Sequence, residues 1–215
     1  MKIVIFDMDG TLLDSQKDIT ISVNYVRQHY YSLEPLSEKF IVDAINMEVR
    51  NLPKLFYETQ HYEAKAKEMF ETHYETQCIQ NPYLYEDIAL TLKELRAHDV
   101  KLSVATNAPT KFAQRMLGHL GVAQMFDVII GADKVALPKP DPQMLYNILE
   151  YYKFDAQKHK AWMVGDNSKD MLSAKSAGID SLFATWGFSP DGAHDILIHK
   201  PKEILSIVLE KSMIK

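Results

Sequence analysis

The stretch IVIFDMDGTLLDS, residues 3–15, runs an unbroken apolar segment from Ile3 to Phe6 directly into two aspartates, Asp7 and Asp9, followed by Gly10 and Thr11. A β-branched and aromatic run without polar alternation is the pattern of a strand covered on both faces, as in a parallel sheet. Side chains at i and i+2 of an extended segment share a face, so Asp7 and Asp9 are expected to point into one site while Met8 points away. Ligands of open α/β sheets bind beyond the carboxyl ends of the strands, so the stretch predicts both a sheet and the place of its chemistry. Gly10 then allows a backbone conformation that a Cβ would resist, and is expected to expose its N–H.

Working outward, short apolar runs recur at 101–105 (KLSVA), 127–130 (DVII), 161–165 (AWMVG) and 179–184 (IDSLFA). Between them, Ile88, Leu92 and Leu95, then Phe112, Met116 and Leu120, then Leu145, Ile148, Leu149 and Tyr152 fall at the spacing of one helical face. Gly178 follows DMLSAKSA where a glycine ends a helix. This rhythm predicts an α/β fold, a doubly wound parallel sheet.

The first run is far from the second, and residues 16–80 carry helical patterns with no strand signal. Ile19, Val23, Val26 and Tyr30 form one stripe, and EAKAKEMFETHYE forms another helix. That is more chain than a crossover needs, so an inserted all-helical domain is expected over 16–80, with the core made of 1–15 and 81–215. The chain would leave the sheet near Asp14 to Lys17 and return within QNPYLYED, residues 80–87; Pro201 to Ile214 is expected to be a final packing helix.

Composition narrows the partners. The 215 residues are 47% hydrophobic and 25% charged, with a formal net charge of −5. Scattered lysines and arginines on an acidic chain give no field for a polyanion, so nucleic acid is not an expected partner. No segment approaches the ~18 apolar residues of a membrane span, and IVIF is too short for a signal-peptide core, so no membrane partner and a cytoplasmic location are expected. Cys78 is the only cysteine, which excludes an internal disulfide and a thiolate metal cage. The eight histidines show no pair at zinc-ligand spacing with a carboxylate partner.

The other strand ends are also polar. They supply Thr106 and Asn107, then Lys139 in LPKPDP, then Asp166 and Asp170 in GDNSKD. Two carboxylates ~4 Å apart repel by ~4 kcal/mol even at an effective dielectric of 20, so a cation is required among them. Oxygen donors without cysteine or clustered histidine favour Mg2+, which commonly bridges carboxylates to a phosphate. Lys139, the Thr106 hydroxyl and the Asn107 amide would bind the remaining phosphoryl oxygens. The chemistry implied is phosphoryl transfer, with Asp7 as nucleophile and Asp9 protonating the leaving alkoxide and later deprotonating the attacking water.

DMDGTLLDS, VATN, LPKPDP and GDNSKD, in that order and on those strand ends, resemble the four motifs of the haloacid dehalogenase superfamily of Mg2+-dependent phosphatases. The resemblance implies a Rossmann-like core, with the helical insert as the cap of the subfamily that includes phosphoglycolate phosphatase and β-phosphoglucomutase. It also implies Mg2+ bound by the Asp7 carboxylate, the Asp9 backbone carbonyl and Asp166, with Asp170 supporting that shell, and phosphate held at Thr106, Asn107 and Lys139; the exposed Gly10 N–H is a further expected phosphate donor. Asp9 sets the sequence apart from carbon–halogen cleaving members, which lack an aspartate there. TNAPTKF and ATWGFSP resemble the phosphoglycolate phosphatase branch, although Ala108 stands where that branch often has lysine and DAINMEVRNLP lacks a glycine common in the cap's substrate loop. Within that loop Arg50 is the candidate to meet a substrate carboxylate, against the alternative of a solvated surface arginine.

The expectation is therefore hydrolysis of a small phosphorylated metabolite, phosphoglycolate-like or a sugar phosphate, through an aspartyl-phosphate. A phosphosugar mutase uses the same intermediate and is the nearest alternative. A phospho-aspartate receiver domain is a third, disfavoured by the helical insert and by Asp9, which equips the site to hydrolyse its own intermediate.

Overall fold

The computed structural model describes residues 1–47, 50–189 and 196–209. The chain divides into two units, one of Met1–Asp14 with the chain from Leu84 onward, the other Ser15–Tyr83.

In chain order the first unit contributes β1 (Lys2–Phe6) and β2 (Leu13–Asp14). The second supplies α1 (Gln16–His29), α2 (Glu38–Asn46), α3 (Leu52–Tyr57) and α4 (Ala64–Gln77). After β3 (Tyr83–Leu84) come α5 (Ile88–Ala97), β4 (Lys101–Thr106), α6 (Thr110–His119), β5 (Val128–Gly131) and α7 (Gln143–Tyr151). The chain continues through β6 (Lys160–Gly165), α8 (Ser168–Ala177), β7 (Asp180–Ala184), β8 (Ile196–Ile198) and α9 (Glu203–Leu209). The final helix lies within the expected Pro201–Ile214 segment but begins at Glu203; residues 210–214 of that expectation lie outside the described residues.

Six strands form one sheet in the order β5-β4-β1-β6-β7-β8, and every neighbouring pair is parallel. Ile5 lies level with Ser103 on one side and Met163 on the other, so β1 is a central strand. Its residues Ile3 to Phe6 are fully buried, each contributing roughly 1.5–3 kcal/mol relative to an exposed side chain. Alternation sends Ile3 and Ile5 to the face covered by Met144, Leu145, Ile148 and Leu149 of α7 and Ala174 of α8. The chain winds outward from β1 through β4 to β5, then recrosses to β6 and continues to β8. The reversal falls at β1, the topological switch point where such sheets bind their ligands. β8, three residues long, has no counterpart among the strands read from the sequence.

The Ser15–Tyr83 unit has its own core, in which Val23 and Val26 of α1 pack with Ile41, Ala44, Phe56, Tyr57 and Ala66. Its first and last segments are tied by Asp18. This fully buried carboxylate accepts hydrogen bonds from Gln77 Nε2 (2.7 Å), Asn81 N (2.9 Å) and Asn81 Nδ2 (2.7 Å). The Arg27 side chain likewise donates to the carbonyls of Glu34 and Phe56, which joins α1 to the end of α3. No helix among the described residues is long and apolar enough to cross a membrane.

Candidate active site

The C-terminal ends of β4, β1 and β6 are adjacent and present Thr106, Asp7 and Asp166. Lys139 reaches them from the β5–α7 loop and Asp170 from the first turn of α8. Oxygen atoms of Asp7, Asp166 and Asp170 lie within 4.8 Å of one another. Lys139 Nζ donates to Asp7 Oδ1 at 2.8 Å, to Asp170 Oδ1 at 2.6 Å and to the Ala105 carbonyl at 2.7 Å, so the ammonium uses all three of its protons.

Each partner is itself held. The Asn107 side chain accepts from Lys139 N and donates to Lys139 O, both at 3.0 Å, and so fixes the backbone that carries the lysine. Asp170 accepts from Asn167 N through Oδ2 at 3.1 Å and completes a capping box at the start of α8. A single side chain therefore stabilises a helix end and neutralises Lys139. Asp166 accepts from Thr11 Oγ1 at 3.0 Å and from Phe188 N at 2.7 Å.

The electrostatics follow from three buried or half-buried acids around one ammonium. Burial, then the charges of Asp7 and Asp170, push the Asp166 carboxyl up to about 8. Burial and Asp7 also raise Asp170, against the opposing pull of Lys139. For Lys139, burial works against the charge, but Asp170 and Asp7 outweigh it and the group is held above its ordinary value, so it stays protonated. The donor set is all oxygen, and the protein leaves it short of positive charge. Those are the properties of a site for a hard divalent cation.

One expectation is corrected by the hydrogen bonding. The Gly10 N–H, expected to face a phosphate, instead donates to Leu13 O at 2.9 Å and closes the turn after β1. What Gly10 contributes is a φ of +84° and the absence of a Cβ that would collide with the Asp166 carboxylate. The Asn107 amide, also expected to bind phosphoryl oxygens, spends one of its two Nδ2 protons on the Lys139 carbonyl and has a second to donate. Thr106 is prepared for the same role, because its Oγ1 accepts from Ala108 N at 3.1 Å and keeps its own proton to donate. Asp9 lies in the same turn, its backbone bridged to Leu13.

In the Ser15–Tyr83 unit, Arg50 is not a solvated surface residue. Among the described residues its buried Nη1 has no hydrogen-bond partner, and burial lowers its pKa, with Tyr62 acting in the opposite direction. A guanidinium N–H in that state is costly unless a ligand meets it.

The segment from Thr185 to Ser189 is a part of the site that reasoning from single residues does not find. Trp186 Nε1 donates to Thr11 O at 3.0 Å, and Asn167 Nδ2 donates to Ser189 Oγ at 2.9 Å. The signal was a Trp-Gly pair directly after a buried strand.

Residues 4–184 match the family model of haloacid dehalogenase-like hydrolases. The chain belongs to that family. It is similar to the phosphoglycolate phosphatase of Vibrio cholerae, 31% identical over 200 residues covering 88% of this chain and 86% of that protein. The phosphoglycolate phosphatase of Aquifex aeolicus is 28% identical over 214 residues, 97% of each chain. Among solved structures, that of a predicted phosphoglycolate phosphatase from Haemophilus somnus superimposes with a TM-score of 0.83 at 26% identity, covering 96% of this chain and 97% of that one. In this family setting the α/β core is a hydrolase scaffold.

Proposed function

We propose that the protein is a Mg2+-dependent phosphatase that hydrolyses a small phosphorylated metabolite through a phosphate ester on Asp7. The observation that carries this reading is the convergence of the Asp7, Asp166 and Asp170 carboxylates with the Lys139 ammonium at the carboxyl ends of adjacent strands. The relatives named phosphoglycolate phosphatase support it.

Asp7 and Asp166 would hold the cation through carboxylate oxygens, with the Asp9 carbonyl as a further ligand and Asp170 in support. A cation bound there supplies charge neutralisation at the transferring phosphoryl oxygens. The chain supplies the rest. The Asp7 carboxylate attacks phosphorus, while Asp9 protonates the departing alkoxide. Asp9 then takes a proton from a water that attacks the same phosphorus, and free phosphate and the Asp7 carboxylate are regenerated. Lys139 neutralises the oxygens of the transferring group, and the Thr106 hydroxyl donates to one of them. We assign to Arg50 the recognition of a second anionic group on the substrate, such as the carboxylate of a phosphoglycolate-like molecule. Its buried Nη1, without a partner among the described residues, supports that role.

The test is a phosphate-release screen over 2-phosphoglycolate, sugar phosphates and nucleotides, in Mg2+ and in EDTA, beside Asp7→Asn. Release by the wild type that needs Mg2+ and is abolished in Asp7→Asn is expected. Full activity in the variant, or no release from any member of the panel, would overturn the reading.

A further inference from the structure

We propose that Thr11 and Trp186 are positioning residues which, with the Gly187–Phe188 backbone, hold the Asp166 carboxylate in its cation-binding orientation. This rests on the reading of Asp166 as a metal ligand.

A carboxylate turns freely about its last side-chain bond, because that torsion has a broad well. Asp166 is denied that freedom. One oxygen accepts from Thr11 Oγ1 and the other from Phe188 N, so the group is gripped from opposite sides by neutral donors. Each donor uses one lone pair, and each oxygen keeps another for a cation. A grip of this kind orients the ligand without competing with the metal for positive charge.

The gripping atoms are fixed in turn. Trp186 donates its indole N–H to the carbonyl of Thr11, so the two sides of the clamp are joined by a hydrogen bond of their own. Asn167, the residue after Asp166, donates its side-chain amide to Ser189 Oγ and ties down the far end of the loop. Between these ties sits Gly187, where a Cβ would collide with Asp166 Cβ and the Gly10 carbonyl. Residues 186–189 are thus laced to the turn after β1 at one end and to the turn after β6 at the other. Neither Thr11 nor Trp186 bonds to Asp7, Lys139 or Asp170 among the described contacts; both act through Asp166.

The competing explanation is that the loop only closes the fold. It then affects unfolding but not metal affinity, and the two effects separate experimentally. Mn2+ binding to substrate-free protein is followed by electron paramagnetic resonance for the wild type, Thr11→Val, Thr11→Ser, Trp186→Phe and Asp166→Asn. Thermal unfolding in EDTA accompanies each variant. Partners that orient a metal ligand typically account for about 10–100-fold in affinity, so Thr11→Val and Trp186→Phe are each expected to weaken binding by about tenfold or more. Thr11→Ser, which keeps the hydroxyl, should stay within about twofold of wild type. Phosphate release should recover in both weakened variants when Mg2+ is raised.

Wild-type Mn2+ affinity in Thr11→Val and Trp186→Phe, with binding lost in Asp166→Asn, would overturn the positioning role and leave the metal site standing. Unchanged affinity in Asp166→Asn would overturn the metal reading and this inference with it. Should Thr11→Val not fold, Trp186→Phe carries the test alone, since it removes one N–H and keeps an aromatic ring in place.

Discussion

Replacing Lys139 with methionine keeps the length of the side chain and removes only its charge and donors. The side chain is 2% exposed and its ammonium contacts Asp7 Oδ1 at 2.8 Å and Asp170 Oδ1 at 2.6 Å, so both carboxylates lose their counter-charge. Breaking a buried ion pair by removing one partner costs about 3–5 kcal/mol, because the remaining charge stays buried and uncompensated. The cost depends on pH with a definite sign. Asp166 and Asp170 both titrate above the 3.8 of a free aspartate in the folded protein, Asp166 at about 8. A carboxyl raised on folding leaves stability intact below its unfolded value and removes it as pH climbs through the folded one. In EDTA, the Lys139→Met loss should therefore approach about 3–5 kcal/mol at pH 8 and shrink by at least half at pH 5, where the site carries fewer negative charges. Urea unfolding of wild type and variant at the two pH values measures this difference. A loss below about 1 kcal/mol at pH 8, the range of an exposed pair, would refute the reasoning, as would equal losses at both pH values.

Two further outcomes concern the Ser15–Tyr83 unit. Asp18→Ala leaves the Gln77 and Asn81 donors without their acceptor and should cost about 3 kcal/mol, since hydrogen bonds to a charged group contribute about 1.5–3 kcal/mol each and do not add fully. Denaturant unfolding checks it, and a loss under about 1 kcal/mol would deny the tie between α1 and the end of α4. Arg50→Met should raise KM about 10–100-fold for a substrate with a second anionic group, the equivalent of one charge-assisted hydrogen bond, and leave KM nearly unchanged for one without. Steady-state kinetics on matched substrates decide it, and equal effects on both would remove Arg50 from substrate recognition.

What the sequence shows and what it hides divide along a physical line. Strands buried on both faces announce themselves through runs such as Ile3–Phe6 and Ala161–Gly165, because hydrophobicity is a property of each residue alone. The polar strand ends Asp7, Thr106 and Asp166 are legible for the same reason. Hydrogen-bond partners are not, because they depend on which backbone atoms the tertiary fold brings near. Gly10 has an N–H available to a ligand until Leu13 O turns back onto it. Asn107 reads as a phosphate donor, and only the fold reveals that its amide also fixes the Lys139 backbone. The clamp on Asp166 needs Thr11 and Phe188, residues at opposite ends of the chain that only the parallel sheet brings together. β8 escaped because three residues, Ile196–Ile198, are too few to show a period.

The central claim is that Asp7 carries the phosphoryl group and Asp9 manages the proton. It is tested most directly with Asp9→Asn and p-nitrophenyl phosphate, whose leaving group needs no acid. A rapid burst of one equivalent of p-nitrophenol per enzyme is expected, followed by slow turnover, with acid-quenched protein carrying one phosphoryl group that peptide mapping places on Asp7. Steady turnover without a burst, or a phosphoryl group on any other residue, would contradict the division of labour between the two aspartates.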